Sequence, residues 1–262
     1  MFLAIDIGNS KIKCGLFDGH DLTLTVEMRS DPTASVAAYR HSLRSRLGDL
    51  TPTAAGISSV VPALTEMIVK AVQDDFMVPA TVVGPELAPP FEVDYVPPET
   101  LGADRLCAAA AAVRRYAQAD HAEGGLSRGR PLVVVDAGTT VTYDVVVDGV
   151  YRGGAIAPGP TLSASALSRG TGKLPEIKPS IPKHPVANCT QDGIRSGVMF
   201  GFVDSVAGMI DRLEAELEMA PFVVATGGGG AFLERHVDAV DVYEPHLVLE
   251  GIAFMVRRTG AD

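Results

Sequence analysis

Residues 3–19, LAIDIGNSKIKCGLFDG, and residues 133–149, VVVDAGTTVTYDVVVDG, are two copies of one pattern. Asp6, Gly8 and Asp18-Gly19 of the first copy recur as Asp136, Gly138 and Asp148-Gly149 of the second, so the paired aspartates stand twelve positions apart in both. Each copy reads as a β-branched strand, a turn at Gly-Asn-Ser or Gly-Thr-Thr, a second strand, and an Asp-Gly hairpin into a third. Such a unit repeated at an offset of 130 residues predicts two related domains, each with its loop pointing into the space between them.

Helical patterns fill the intervals. TLGADRLCAAAAAVRRYAQ, from Thr100, is alanine-rich with a threonine cap and basic residues near its end. GIRSGVMFGFVDSVAGMIDRLEAELE carries Val198, Phe202, Val206, Met209, Leu213 and Leu217 at helical spacing; its first half is apolar beyond what a surface helix needs, which suits a subunit contact. HAEGGLSRGRP, residues 121–131, reads as an exposed linker, and KLPEIKPSIPKHP, residues 173–185, as an ordered loop or arm, too rich in proline for a helix or central strand. A last helix begins near Pro245 and ends at Arg257 and Arg258. The expected domains are residues 1–120 and 130–262, with the last helix free to pack back on the first.

A third glycine-rich turn, VVATGGGGAFLE, residues 223–234, again follows an apolar strand and precedes a helix. Glycines let backbone N–H groups approach a phosphate, Ser and Thr hydroxyls add donors, and a strand-end carboxylate can hold Mg²⁺ against phosphate oxygens. That help matters in a chain whose formal charge is −10. The same charge, without a basic block, argues against nucleic acid as a partner. Cys14, Cys107 and Cys189 have neither disulfide nor zinc-ligand spacing, and the six histidines show no ligand pairing. No serine or cysteine stands in a nucleophile elbow. With no secretory apolar region and no uncharged spanning stretch, membrane association is not expected and the cytoplasm is the expected compartment.

Five segments together resemble a known family: IDIGNSKIKCGLF, PPETLGADRLCAAAAA, VVVDAGTTVTYDVV with YRGGAIAPG, TQDGIRSGV and VATGGGG. In order and spacing they are similar to the type III pantothenate kinases, a branch of the sugar kinase, heat-shock chaperone and actin superfamily. The resemblance covers nearly the whole chain, and the Gly-Ala-Asp-Arg and Gly-Gly-Ala-Ile-Ala-Pro-Gly segments make it specific. It implies an α/β fold of two ribonuclease H-like domains of duplicated origin with an interdomain nucleotide cleft, a homodimer, and ATP-dependent phosphorylation of pantothenate in the first step of coenzyme A synthesis. Mg²⁺ and a monovalent cation, K⁺ or NH₄⁺, are the implied cofactors.

The resemblance also implies residue roles. Asp6, Ile7, Gly8, Asn9, Ser10, Lys11, Ile12 and Lys13 form the first phosphate-binding segment, with Asp6 near Mg²⁺. Tyr95, Gly102, Ala103, Asp104, Arg105 and Thr190 contact pantothenate, with Asp104 the general base. Asp136 holds the monovalent cation and Thr139 touches ATP. Two positions depart from the family pattern: Ser10 stands where threonine is common, and Arg195 where glutamine is usual.

Phosphoryl transfer to an alcohol needs positioning, charge neutralisation and a proton acceptor. Loops and cations supply the first two and Asp104 the third, with Arg105 orienting the acceptor or lowering the carboxylate's proton affinity. Each role has a plainer rival. Asp104 could simply favour a helix dipole, Asp6 and Asp136 could cap turns, Thr139 could close its turn, Thr190 could cap a helix starting near Gln191, and Arg105 could be a surface partner of Glu99. Asp18 and Asp148 read as hairpin-turn residues. A nucleotide-binding or regulatory member that has lost catalysis is the alternative function, expected to show damage at Asp104-Arg105 or the loops. A phosphatase on the same fold would need a water-activating glutamate near Asp136.

Overall fold

The first copy of the repeat folds as β1 (Phe2–Ile7), β2 (Lys11–Asp18) and β3 (Asp21–Arg29), an antiparallel meander. The second folds the same way as β7 (Leu132–Ala137), β8 (Thr140–Val147) and β9 (Val150–Pro158). Gly19 has φ +55°, and Asp148 and Gly149 have φ +50° and +76°, so Asp-Gly makes the hairpin bend in both copies. The computed structural model describes residues 1–117, 129–258 and 260. Two units divide the chain: Met1–Gly125, Gly149–Arg152 and His246–Asp262 form one, Leu126–Asp148 and Gly153–Pro245 the other. The linker expected at 121–131 lies, through residue 128, outside the described residues.

In the first unit β4 (Ala54–Ser59) and β5 (Ala80–Val82) extend the sheet in parallel on the other side of β1, giving the order β3-β2-β1-β4-β5. β1 is a continuous apolar run except for Asp6 because both its faces are covered. Helices α1 (Val36–Leu47) and α2 (Pro62–Phe76) bury Leu43, Leu64 and Ile68 with Leu3, Ile5 and Ile57. The Ser35 hydroxyl caps α1 at Ala38 N, 3.2 Å, and Pro62 opens α2, where a missing N–H costs nothing. The opposite face is covered by the last helix, α7 (Leu247–Arg257): an added Cβ on Gly56 of β4 would sit 2.7 Å from Ile252. α7 packs in turn on α3 (Ala103–Ala112). The alanine run of α3 allows that close approach, and Gly251 meets the Cys107 carbonyl with no room for a Cβ. Val113–Ala117 continues α3 as a π-helical turn. A two-residue strand, β6 (Glu92–Val93), pairs in parallel with Val150 and Tyr151 of β9, which belong to this unit.

In the second unit β10 (Phe222–Thr226) and β11 (Val242–Tyr243) lie parallel beyond β7, so the order β9-β8-β7-β10-β11 repeats that of the first sheet. α4 (Pro160–Gly170) and the long α5 (Thr190–Leu217) connect β9 to β10, and α6 (Gly230–His236) connects β10 to β11. Phe202, Val206 and Ile210 of α5 are buried with Val133, Val135 and Val223. α5 is long and apolar enough to cross a membrane by length and composition alone, and its Phe202, Val206 and Ile210 are buried in this core. The proline-rich segment 173–185 contains neither helix nor strand, and Ile177 anchors it against Ala164, Ile194, Val198 and Met199.

Candidate active site

In the first unit, Gly8-Asn9-Ser10 makes the turn between β1 and β2, closed by Gly8 N donating to Lys11 O at 3.0 Å. Ser30 holds it from behind: its hydroxyl donates to Gly8 O at 2.5 Å and its amide to Ser10 O at 3.2 Å. Asn9 and Ser10 are exposed, whereas Ile7 and Ile12 are fully buried and act as anchors of the loop. Lys13 stands opposite Asp6 in the β1–β2 register. Lys11 reaches Glu27, 2.5 Å away on the surface. Half-buried Asp6 lies opposite Ser58 of β4 and accepts a hydrogen bond from its hydroxyl at 3.3 Å.

Gly102, Ala103, Asp104 and Arg105 form the start of α3, with Gly102 as N-cap. The Asp104 carboxylate folds back so that Oδ1 accepts from Arg105 N at 2.8 Å, and an added Cβ on Gly102 would lie 2.5 Å from that oxygen. Burial raises the proton affinity of Asp104 above the ordinary carboxylate value, outweighing the opposing Arg105 amide and guanidinium. Arg105 does act to lower the carboxylate's proton affinity, through its amide and its charge, but desolvation is the larger effect, so the net direction is upward. Nor is Arg105 a surface residue; it is 6% exposed, with its guanidinium 5.9 Å from the Tyr95 ring centroid. Asp6 and Asp104 both raise the proton affinity of the buried Cys107 thiol, so both carboxylates lie within electrostatic reach of one point in this unit.

In the second unit, Asp136 ends β7 and three loops meet around it. Gly138 N donates to Thr140 O at 2.9 Å, Gly159 N to Thr139 O at 3.0 Å, and Gly229 N to Ala137 O at 2.8 Å. Gly227 has φ +78°, and a Cβ there would collide with Asp136 Oδ1, so the third glycine turn is wrapped onto the carboxylate. Thr139 is exposed at the tip of its turn. Opposite Asp136 on β10 stands buried Thr226, as Ser58 stands opposite Asp6.

Thr190 is the first residue of α5; Cys189 is the N-cap, so Thr190 does not cap the helix. It lines a cavity of about 1040 Å³ between α4 and α5, together with Leu167, Leu174, Gly193, Ile194 and Gly197. The charge that departs from the family pattern, Arg195, pairs with Asp192 one turn earlier, 2.6 Å away.

Among the described residues no three metal-ligating side chains cluster. Asp6, with the Ser58 hydroxyl beside it, offers one carboxylate, and Mg²⁺ is commonly held by one or two carboxylates together with waters and substrate phosphates. The Asp136 carboxylate and the Ala137 carbonyl both approach Gly227, and oxygens of these kinds are the donors hard cations take.

Sequence reasoning missed Ser58 and Thr226. The available signal was the duplication itself: each parallel strand beside a repeat strand ends in a hydroxyl residue next to the aspartate.

The repeated strand order, with an aspartate on the central strand of each sheet, defines the sugar kinase and actin-like class of fold. Solved structures agree. A Baf family protein of Campylobacter jejuni matches with TM-score 0.61 and 20% identity over 98% of both chains. A ROK family glucokinase of Streptomyces griseus, solved with glucose and AMPPNP, matches with TM-score 0.51 and 14% identity over 98% of this chain and 99% of its own. The family profile for type III pantothenate kinase matches residues 2–212. Curated type III pantothenate kinases of Persephonella marina and Moorella thermoacetica are 34% and 32% identical, covering 96% and 98% of this chain and 96% and 99% of their own. The chain belongs to the type III pantothenate kinase family.

Proposed function

We propose that the chain transfers the γ-phosphoryl group of ATP to the primary hydroxyl of pantothenate, giving 4'-phosphopantothenate for coenzyme A synthesis. The observation that carries this reading is the Asp104 carboxylate, held over Gly102 at the head of α3 in a family member matched along nearly its full length. In this assignment Asp104 accepts the hydroxyl proton as the alcohol oxygen bonds to the γ-phosphorus and ADP leaves. Its raised proton affinity brings the base nearer to working pH than an exposed aspartate. Arg105 and Tyr95, with Gly102 and Ala103, orient pantothenate.

On the nucleotide side, the exposed turn Gly8-Asn9-Ser10 presents donors suited to phosphate, and Thr139 is exposed at the tip of the corresponding turn of the second copy. Asp6 would hold Mg²⁺ and Asp136 the monovalent cation, K⁺ or NH₄⁺. Bound there, the cations would offset charge on the phosphate oxygens. Ser58 fixes the Asp6 carboxylate.

The apolar cavity beside α5 supports a homodimer. Gly193, Gly197 and Gly201 leave open space above the helix, with nothing within 4 Å of an added Cβ, and a second copy would cover that face and Thr190 with it. The cytoplasm is the compartment this function implies.

Incubation with ATP, Mg²⁺, K⁺ and pantothenate, beside the Asp104→Asn variant, tests the assignment. Phosphopantothenate from the wild type and its near-absence from the variant are expected; phosphate release that ignores pantothenate would overturn it.

A further inference from the structure

Tyr151 opens the segment YRGGAIAPG. It is fully buried, and its ring lies against two others. Phe91 stacks on it at 5.9 Å between centroids and 22° between planes, and Tyr95 meets it edge-on at 6.2 Å and 60°. Tyr95 in turn lies beneath the Arg105 guanidinium, 5.9 Å from the ring centroid.

The backbone converges on the same point. Val93 pairs with Tyr151 in the β6–β9 register. Glu92 N donates to Gly149 O and Asp94 N to Tyr151 O, both at 2.9 Å, and Arg152 grips the Asp94 carboxylate at 2.9 Å. The pairing ends there: Tyr95 is half-buried, and the next residue, Val96, is 89% exposed. Tyr95 is thus the residue at which the chain leaves the strand, and the Tyr151 ring is packed against its side chain where the backbone ladder stops.

We propose that Tyr151 is a positioning residue for pantothenate: its ring fixes the ring of Tyr95 and, through it, the guanidinium of Arg105. The proposal rests on the assignment of Tyr95 and Arg105 to the pantothenate site. Its basis is the packing of the ring, so truncating the ring is the change that tests it. A side chain that only stabilised the fold would, when truncated, lower the active fraction and hence kcat while leaving both KM values unchanged.

Tyr151→Leu tests it by steady-state kinetics with each substrate varied in turn. Tyr151→Leu is expected to raise the KM for pantothenate about tenfold and to leave the KM for ATP within about twofold. A folded Tyr151→Leu with unchanged pantothenate KM, or a parallel rise in both KM values, would overturn the proposal. If Tyr151→Leu shows no melting transition, Phe91→Leu, which frees the other face of the ring, is expected to give the same split, and its absence overturns the proposal. Tyr95→Leu separates the two levels of inference. If it leaves the pantothenate KM unchanged, the site assignment falls; if it raises that KM and Tyr151→Leu does not, only the role of Tyr151 falls.

Discussion

Gly102 and Asp104 are fitted to each other: the carboxylate Oδ1 occupies the place where a Cβ on residue 102 would come within 2.5 Å of it. Gly102→Ala should therefore push Asp104 out of place without disturbing α3. A displacement of about 1 Å is worth roughly 10²-fold in rate. The check is kcat beside an unchanged helical circular dichroism spectrum.

Asp104 itself links activity and stability to pH. Burial favours its protonated form in the folded chain more than in the unfolded one. The folded state therefore binds more protons between the ordinary and the raised value, and stability falls as pH rises through that window. Asp104→Asn should remove this dependence, melt no lower than the wild type at neutral pH, and lower kcat by roughly 10²- to 10⁴-fold. The acid limb of wild-type kcat/KM should lie above the usual aspartate value; a limb at or below it would contradict the assignment.

Gly227→Ala would place a methyl against Asp136 at a backbone angle of φ +78°. A loss of about 1–3 kcal/mol in stability is expected from the strained conformation, together with weaker activation by K⁺. Thermal melts and K⁺ titration of the rate measure both.

Ser58→Ala removes the hydrogen bond to Asp6 from a fully buried position. It should cost about 1 kcal/mol in stability and raise the Mg²⁺ concentration needed for half-maximal rate, with the pantothenate KM unchanged.

Gly197 is exposed on α5 with open space around it, so a large residue there fits within one chain. Gly197→Arg should halve the mass seen by light scattering if α5 is the face between subunits. A dimer that survives this change would place the contact elsewhere.

Much of this arrangement was legible in the residue order. The two Asp-Gly hairpins and the long apolar helix stand where pattern and turn chemistry put them, because each is set by local sequence; the alanine helix forms too, but starts at Ala103 behind Gly102 rather than at a Thr100 cap. The sheet partners were not legible. Ser58 and Thr226 sit beside the aspartates only through parallel pairing with strands 52 and 90 positions away, Asp6 with Ser58 and Asp136 with Thr226. Tyr151 escaped for a related reason, since its contacts are with Phe91 and Tyr95, which flank β6 some 60 positions earlier in the chain. The sign of the Asp104 shift was hidden too: a sequence shows the adjacent arginine, but desolvation depends on what packs around it. The twin turns also differ in a way their spacing conceals. Asp6 pairs with Lys13, seven positions on, and Asp136 with Thr142, six positions on, so the second loop is one residue tighter.

The contact of α7 with α3 has a consequence for biosynthesis. Residues 247–257 are made long after residues 103–112, yet Gly251 seats against Cys107 and Ile252 covers Gly56. A nascent chain therefore carries α3 without its α7 partner until translation has passed the second unit. A chain truncated before residue 246 would encode every proposed substrate contact and lack the helix that packs on α3 and β4.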